Sequence, residues 1–327
     1  MSDVLAFEDD ATFKSYLADL EGKQTSSARI STNSFQSFEY HFQNVMLQLD
    51  SAKTESEYSE ILSKNSDILY VEDSVIQPKI KSAVYQQLCN RDRMYVTGQQ
   101  VIKVLNDEML LSTSRENVAL IQDLEIKDVS SVENNSHIEI FRYGNNSSSI
   151  SNINSRTMAD ECGSFLNANY SYNPSGCKDD RKVFVEASAY TIYANFTKTV
   201  NGTPIPWMTY QPTVQIKVWG EYRNRLCNWN YYSTTLSFKD GRIVVDAWDR
   251  ISEDPYRTYS VSSGWIYYVS GDSNGDARQL IWTKYIGAEL VNEGHLLVND
   301  PFMFTEVTVK ATSRGVNGNY AVINCPG

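Results

Sequence analysis

The chain has 327 residues, a net charge of -11, 41% hydrophobic and 21% charged residues. That is enough apolar material for one large domain or two ordinary ones, and no apolar run approaches the ~20 residues of a membrane-spanning helix. The charge excludes a basic stripe: residues 1–130 carry 21 Asp+Glu against 12 Lys+Arg, and residues 131–327 carry 19 against 17. Neither nucleic acid nor an anionic membrane surface is therefore expected as a partner.

From the N-terminus, apolar spacing predicts helices. Phe13, Tyr16, Leu17 and Leu20 share one face, with Asp10 as N-cap and Gly22 as the stop. Phe35, Phe38, Phe42, Val45, Met46 and Leu49 continue the spacing on a second helix, and Tyr58, Ile61 and Leu62 mark a short third. Pro78 reads as the start of a fourth, with Ile80, Val84 and Leu88 on its buried face. Cys89 sits in that pattern as a small buried hydrophobe.

Residues 93–112 change to short β-rich runs around two turn signals, Thr97-Gly98 and Asn106-Asp107, so a small meander is expected. Glu116 to Leu124 returns to helix. Residues 129–157 are rich in Asn and Ser and read as linker with one strand, His137 to Tyr143.

From residue 158 onward the chain reads as all-β. Long alternating runs such as RKVFVEASAYTIYANFTKTV are separated by turn signals at Lys239-Asp240-Gly241, Asn274-Gly275, Asn299-Asp300-Pro301 and Asn317-Gly318. All six tryptophans and 14 of the 21 tyrosines lie here, as expected of pleated, half-buried surfaces. The expectation is an α+β chain: a helical domain with a small β-meander over 1–128, a linker over 129–157, and an antiparallel sandwich over 158–327.

The chemistry-bearing candidates are few. SGDSNGDARQ (270–279) spaces Asp272, Asn274 and Asp276 like the opening of a calcium loop. Counted from Asp272, however, the sixth position is Ala277 and the twelfth is Thr283, so the glycine and closing carboxylate are missing. Asn-Gly between two strand patterns favours a hairpin turn there. Metal-binding spacings, phosphate loops and nucleophile elbows are absent from the sequence, so no metal, cofactor or catalytic triad is expected. Cys162 and Cys177 bracket a polar loop and are either disulfide-linked or two free thiols. Glu186, Glu221, Asp246 and Asp249 are the acids from which a glycosidase pair would be drawn. Trp229, Tyr231, Trp265 and Tyr267 share parity within their strands and are the candidate ring platform for a ligand.

The helical opening LAFEDDATFKSYLADL and the segment from Asp67 to Leu124, which contains VTGQQVIKV, resemble secreted lipoproteins of gut Bacteroidetes known only as domains of unknown function. The β-rich RKVFVEASAYTIY run follows in the same order. That resemblance implies export, and membrane association only through a lipidated cysteine preceding the present sequence. It supplies no catalytic residues. The functional expectation is a non-catalytic secreted or outer-membrane, cell-surface protein that binds a glycan or a protein ligand. The alternatives are a carbohydrate-active hydrolase using two acids of the β-domain, and a structural assembly component.

Overall fold

A computed structural model describes residues 3–21, 35–72, 75–106, 109–142, 162, 165–173, 179–200, 202–254, 257–286, 290–293, 297–298 and 303–326. The first elements are strand β1 (Ala6–Phe7) and helix α1 (Asp10–Glu21). Asp9 caps α1, accepting the Thr12 N–H at 2.8 Å, while Asp10 lies inside the first turn and pairs with Lys14. The cap thus falls one residue earlier than expected. Gly22, the expected stop, lies outside the described residues.

Helix α2 (Phe38–Ser51) is capped by the Ser37 hydroxyl and buries Phe38, Phe42, Val45, Met46 and Leu49. Helix α3 (Glu55–Lys64) is capped by Thr54 in the same manner. Pro78 is not a helix start: it closes the hairpin of β2 (Leu69–Glu72) and β3 (Val75–Pro78), opposite Leu69. A strand end tolerates proline because the missing N–H need not join a ladder. Helix α4 (Ala83–Leu88) begins five residues later, where Ser82 supplies a cap.

The expected meander is β4 (Met94–Thr97), β5 (Gln100–Asn106) and β6 (Met109–Ser114), with Gly98 at φ 57° in its first turn. It belongs to a five-stranded sheet, ordered β1-β4-β5-β6-β7, in which β1 runs parallel to β4. The predicted helix over 116–124 is instead a 3-10 turn, Arg115–Leu120, followed by a second, Ile126–Ser131. Strand β7 (Glu139–Arg142) extends the sheet from within the expected linker.

The remaining strands are β8 (Phe165–Tyr172), β9 (Arg181–Val200), β10 (Thr203–Arg223), β11 (Trp229–Tyr231), β12 (Thr234–Asp254), β13 (Arg257–Ala277), β14 (Gln279–Tyr285), β15 (Leu290–Glu293), β16 (Leu297–Val298), β17 (Met303–Ser313) and β18 (Ala321–Cys325). β9 and β10 form one long hairpin in which Val200 pairs with Thr203 and Gly202 takes φ 82°. The other edge of β10 is shared in turn by β15, β14 and β11. A second antiparallel sheet is ordered β13-β12-β17-β18. Between the two sheets lies a dry core that includes Val183, Val185, Val214, Ile216, Val218, Ile243, Phe304 and Val307.

Two expected turns are bulges. Lys239-Asp240-Gly241 lies inside β12, where the pairing shifts between Phe238 and Gly241 and Asp240 takes φ 53°. A side chain on Gly241 would meet the Val269 carbonyl oxygen at 2.7 Å, so the close approach requires glycine. Asn274-Gly275 does not join β13 to β14. Thr235 and Ser237 of β12 face Asp276 and Asp272 of β13, so residues 273–275 loop out within one strand. A bulge needs the same positive φ as a hairpin turn, here 51° at Asn274 and 142° at Gly275, and local sequence does not separate the two. The turn at Asn317-Gly318 is as expected, at φ 53° and 79°. Asn299-Asp300-Pro301 lies outside the described residues.

A second core joins the helices to the opposite face of β9 and β10. Phe13 meets Phe196 at 6.1 Å, Phe42 meets Tyr231 at 5.9 Å, Tyr85 meets Tyr190 at 6.1 Å and Phe141 meets Tyr193 at 4.3 Å between ring centroids. Residues on both sides of the expected 128/129 boundary therefore share one apolar cluster. The chain is a mixed α+β protein built largely of antiparallel sheet.

Candidate functional site

Trp229 and Tyr231 do not form a surface platform, because their rings are buried. Their strand is short and covered by α2, so every residue of β11 is buried. Trp229 lies between Lys182 (Nζ 4.2 Å from the ring centroid) and Arg223 (guanidinium carbon at 5.0 Å), and Tyr231 packs on Phe42 and Trp219. Tyr267 is half-buried, set edge-on to Trp282 at 6.0 Å against the dry core, while its neighbours Ile266 and Tyr268 face outward. Trp265 pairs with Val245 in the ladder, and its side chain lies outside the described residues.

Cys162 bonds to Cys325 rather than Cys177. Folding carries the C-terminal strand β18 to the backbone beside Cys162, whose N–H donates to Phe304 O at 2.9 Å, a proximity over 163 residues that spacing does not reveal. Cys227 is also disulfide-bonded, Cys89 is a buried thiol outside any disulfide, and Cys177 lies outside the described residues.

Of the four candidate acids, Glu186 and Glu221 share the helix-facing side of the β9–β10 hairpin. Glu186 stands opposite Lys217, and Glu221 stands opposite Lys182. The two acids are thus about 13 Å apart along the strand. Both are closed off from water, at 2% and 1% exposure. Glu221 accepts the Trp219 indole N–H at 3.1 Å, and burial pushes its carboxyl up to about 7. The side chains of Asp246 and Asp249 lie outside the described residues. In the 272–276 stretch, Asp272 accepts the Asn274 N–H at 2.8 Å, and Asp276 accepts from Thr235 and Arg314 at 3.1 and 3.2 Å.

A different place has the form of a ligand site. A cleft of about 380 Å³ opens where the β2–β3 hairpin, the end of β5, the second 3-10 turn, β8 and β9 meet. The rings of Tyr70, Phe165 and Tyr190 line it, with Lys81, Asn106 and Ser188 among them. Alternation along β9 puts Ser188 and Tyr190 on its helix-facing side. The Lys81 ammonium stands 4.4 Å from the centroid of Phe165, within cation–π range. Tyr190 donates to Gln215 at 3.0 Å, whereas the buried Ser188 hydroxyl has no hydrogen-bond partner among the described residues. At the cleft wall Glu125 is gripped by Arg93 and by Lys79, the latter at 3.1 Å. Burial opposes its ionisation, but the two cations outweigh that and hold the carboxyl below its ordinary value.

These residues run from Tyr70 to Tyr190 over five elements and the connection into α4, with no common motif. A sequence signal exists only for Ser188 and Tyr190, through the strand alternation that the β9 run displays.

No family model matches the chain, and no curated protein matches it. Among solved structures, a DUF4848 family protein from Bacteroides thetaiotaomicron VPI-5482 aligns with 99% of this chain and 97% of its own, at 11% identity and a TM-score of 0.28. At that distance the likeness carries no argument about fold or activity.

Proposed function

We propose that the protein is a non-catalytic binding protein of the cell exterior, and that the cleft beneath Tyr70 and Phe165 takes a sugar-like ligand. The carrying observation is the composition of that cleft: three aromatic rings interleaved with an ammonium, an amide and a hydroxyl that has no partner among the described residues. Ring faces stack on the apolar faces of sugars, and the polar groups match hydroxyls at their edges. Disulfide-bonded Cys162, Cys325 and Cys227 support an oxidising compartment. A lipid anchor preceding this sequence, and a layout of helical module beside antiparallel sandwich, belong to the same reading.

The hydrolase alternative has less support. A glycosidase needs two carboxyls facing one water-accessible cleft, whereas Glu186 and Glu221 are buried and Glu125 is held ionised between two cations. The test is a glycan array run with a reducing-end assay on the same glycans. Binding without new reducing ends is expected, and Tyr70→Ala and Lys81→Ala should each weaken it about tenfold or more. Cleavage, or binding unaffected by both substitutions, would overturn the proposal.

A further inference from the structure

Away from that cleft, the end of α2 and the turn after β10 enclose a second hollow of about 470 Å³. Its walls carry Lys53, Arg181, Arg223 and Arg225, against a single lining carboxylate, Asp50. Its local charge is opposite in sign to the chain's net charge of -11. We infer that this hollow is a binding site for a small oxyanion: a carboxylate, sulfate or phosphate group on a ligand. It is independent of the aromatic cleft.

Three features support a built site. First, the guanidinium groups are pre-positioned by ring faces. Arg181 stands 5.6 Å from the centroids of both Tyr222 and Tyr232, and Arg223 stands 5.0 Å from that of Trp229. Arg181 donates through Nη1 to Asp180 O at 2.9 Å, and a guanidinium held by its face presents the rest of its N–H edge in a fixed plane to an oxyanion. Second, Asp180 neutralises only part of this charge. It pairs with Arg223 at 3.2 Å through Nη1, yet Arg223 Nε is shut off from water with no hydrogen-bond partner among the described residues. Third, the loop bearing Arg225 is pinned. The Asn224 side chain accepts the N–H groups of Leu226 and Asn228 at 2.9 and 3.1 Å, and Cys227 holds φ 63° beside its disulfide. Arg225 is exposed and makes no ion pair among the described residues.

Besides Asp180, which pairs with Arg223, two groups oppose an anion here. The C-terminal carbonyls of α2 carry roughly half a negative charge, and Asp50 adds one. Asp50 accepts a hydrogen bond from the Tyr222 hydroxyl, so part of its acceptor capacity is already engaged. Four cations still exceed these and the Asp180 carboxylate together.

The test is titration calorimetry on the whole protein at low ionic strength, with inorganic sulfate, inorganic phosphate and glucuronate as separate probes and chloride as the reference. Saturable binding of at least one probe is expected, and the three arms separate the sources. Arg225→Ala should weaken it about tenfold, Asp50→Asn should tighten it, and Lys310→Ala, remote from the hollow, should leave it unchanged. Circular dichroism and thermal melting check that each variant is folded; Arg225 is exposed, so its loss should not disturb packing. No saturable binding of any probe, or unchanged binding in folded Arg225→Ala, overturns the inference. Tyr70→Ala should leave anion binding intact, so failure of the sugar reading and failure of this one are separately visible.

Discussion

The two faces of the β9–β10 hairpin have opposite chemistry. The face toward β12 and β17 carries Val183, Val185, Ala187, Val214, Ile216 and Val218, and its core is apolar throughout. The face toward the helices alternates aromatic rings with Lys182, Glu186, Ser188, Gln215, Lys217 and Glu221, most of them buried. The difference follows from what covers each face. A second sheet brings only the inward side chains of another alternating pattern, and these pack without polar atoms. Helices, caps and connections bring backbone ends and long polar side chains, which need partners once out of water. Hence Gln215 accepts the Ala83 N–H at 2.9 Å at the start of α4, and Gln279 donates to Glu39 of α2 at 2.7 Å. The dry face holds the sheets together, and the polar face fixes where the helices sit on them.

That contrast can be broken by moving a charge across the hairpin. Ile216→Asp places an unpaired carboxylate among valines at a position with no exposure, a cost of about 5 kcal/mol or more. No cooperative urea transition by circular dichroism is expected; a folded variant of near-normal stability would show that the dry face tolerates charge. Its neighbour Gln215 points the other way. Gln215→Leu should cost about 2–4 kcal/mol in urea unfolding, because the Ala83 N–H and the Tyr190 hydroxyl both lose their acceptor. A loss below ~1 kcal/mol would show that water replaces the side chain there.

The finest test is Glu221→Gln. Its carboxyl holds a proton up to about 7 when folded, against an ordinary 4.5. Folding therefore binds a proton between those values, and the contribution of this group to stability falls as pH rises through that window. Relative to the parent, Glu221→Gln should gain up to about 3 kcal/mol at pH 8 and nothing at pH 4. Parallel pH–stability curves for the two proteins would mean that Glu221 titrates normally.

Much of the fold was legible from local pattern. Periodicity located α1, α2 and α3 because an amphipathic helix must bury one stripe, as Phe42, Val45, Met46 and Leu49 do. Alternation located β9 over its full length, and the meander stood out through its turns. Local pattern failed where the same residues serve two geometries. Asn274-Gly275 satisfies a bulge as readily as a hairpin, and Pro78 closes a strand where it was expected to open a helix. It failed again for Trp229 and Tyr231, since parity states which residues share a face but not whether another element covers it.

Of the candidate sites, the sequence by itself determined little beyond parity, charge and residue type. Within the run read as β9, Ser188 lies with Tyr190, and Glu186 with Lys182, on one side of the strand, because side chains alternate with period two regardless of partner. The tertiary structure decided the rest. The pairing of Cys162 with Cys325, the assembly of Tyr70, Lys81 and Phe165 around one cleft, and the convergence of Lys53 with Arg181 and Arg225 each join distant positions. Such contacts arise only when buried apolar surface has already chosen which elements meet, and that choice is made by the whole core rather than by any local stretch.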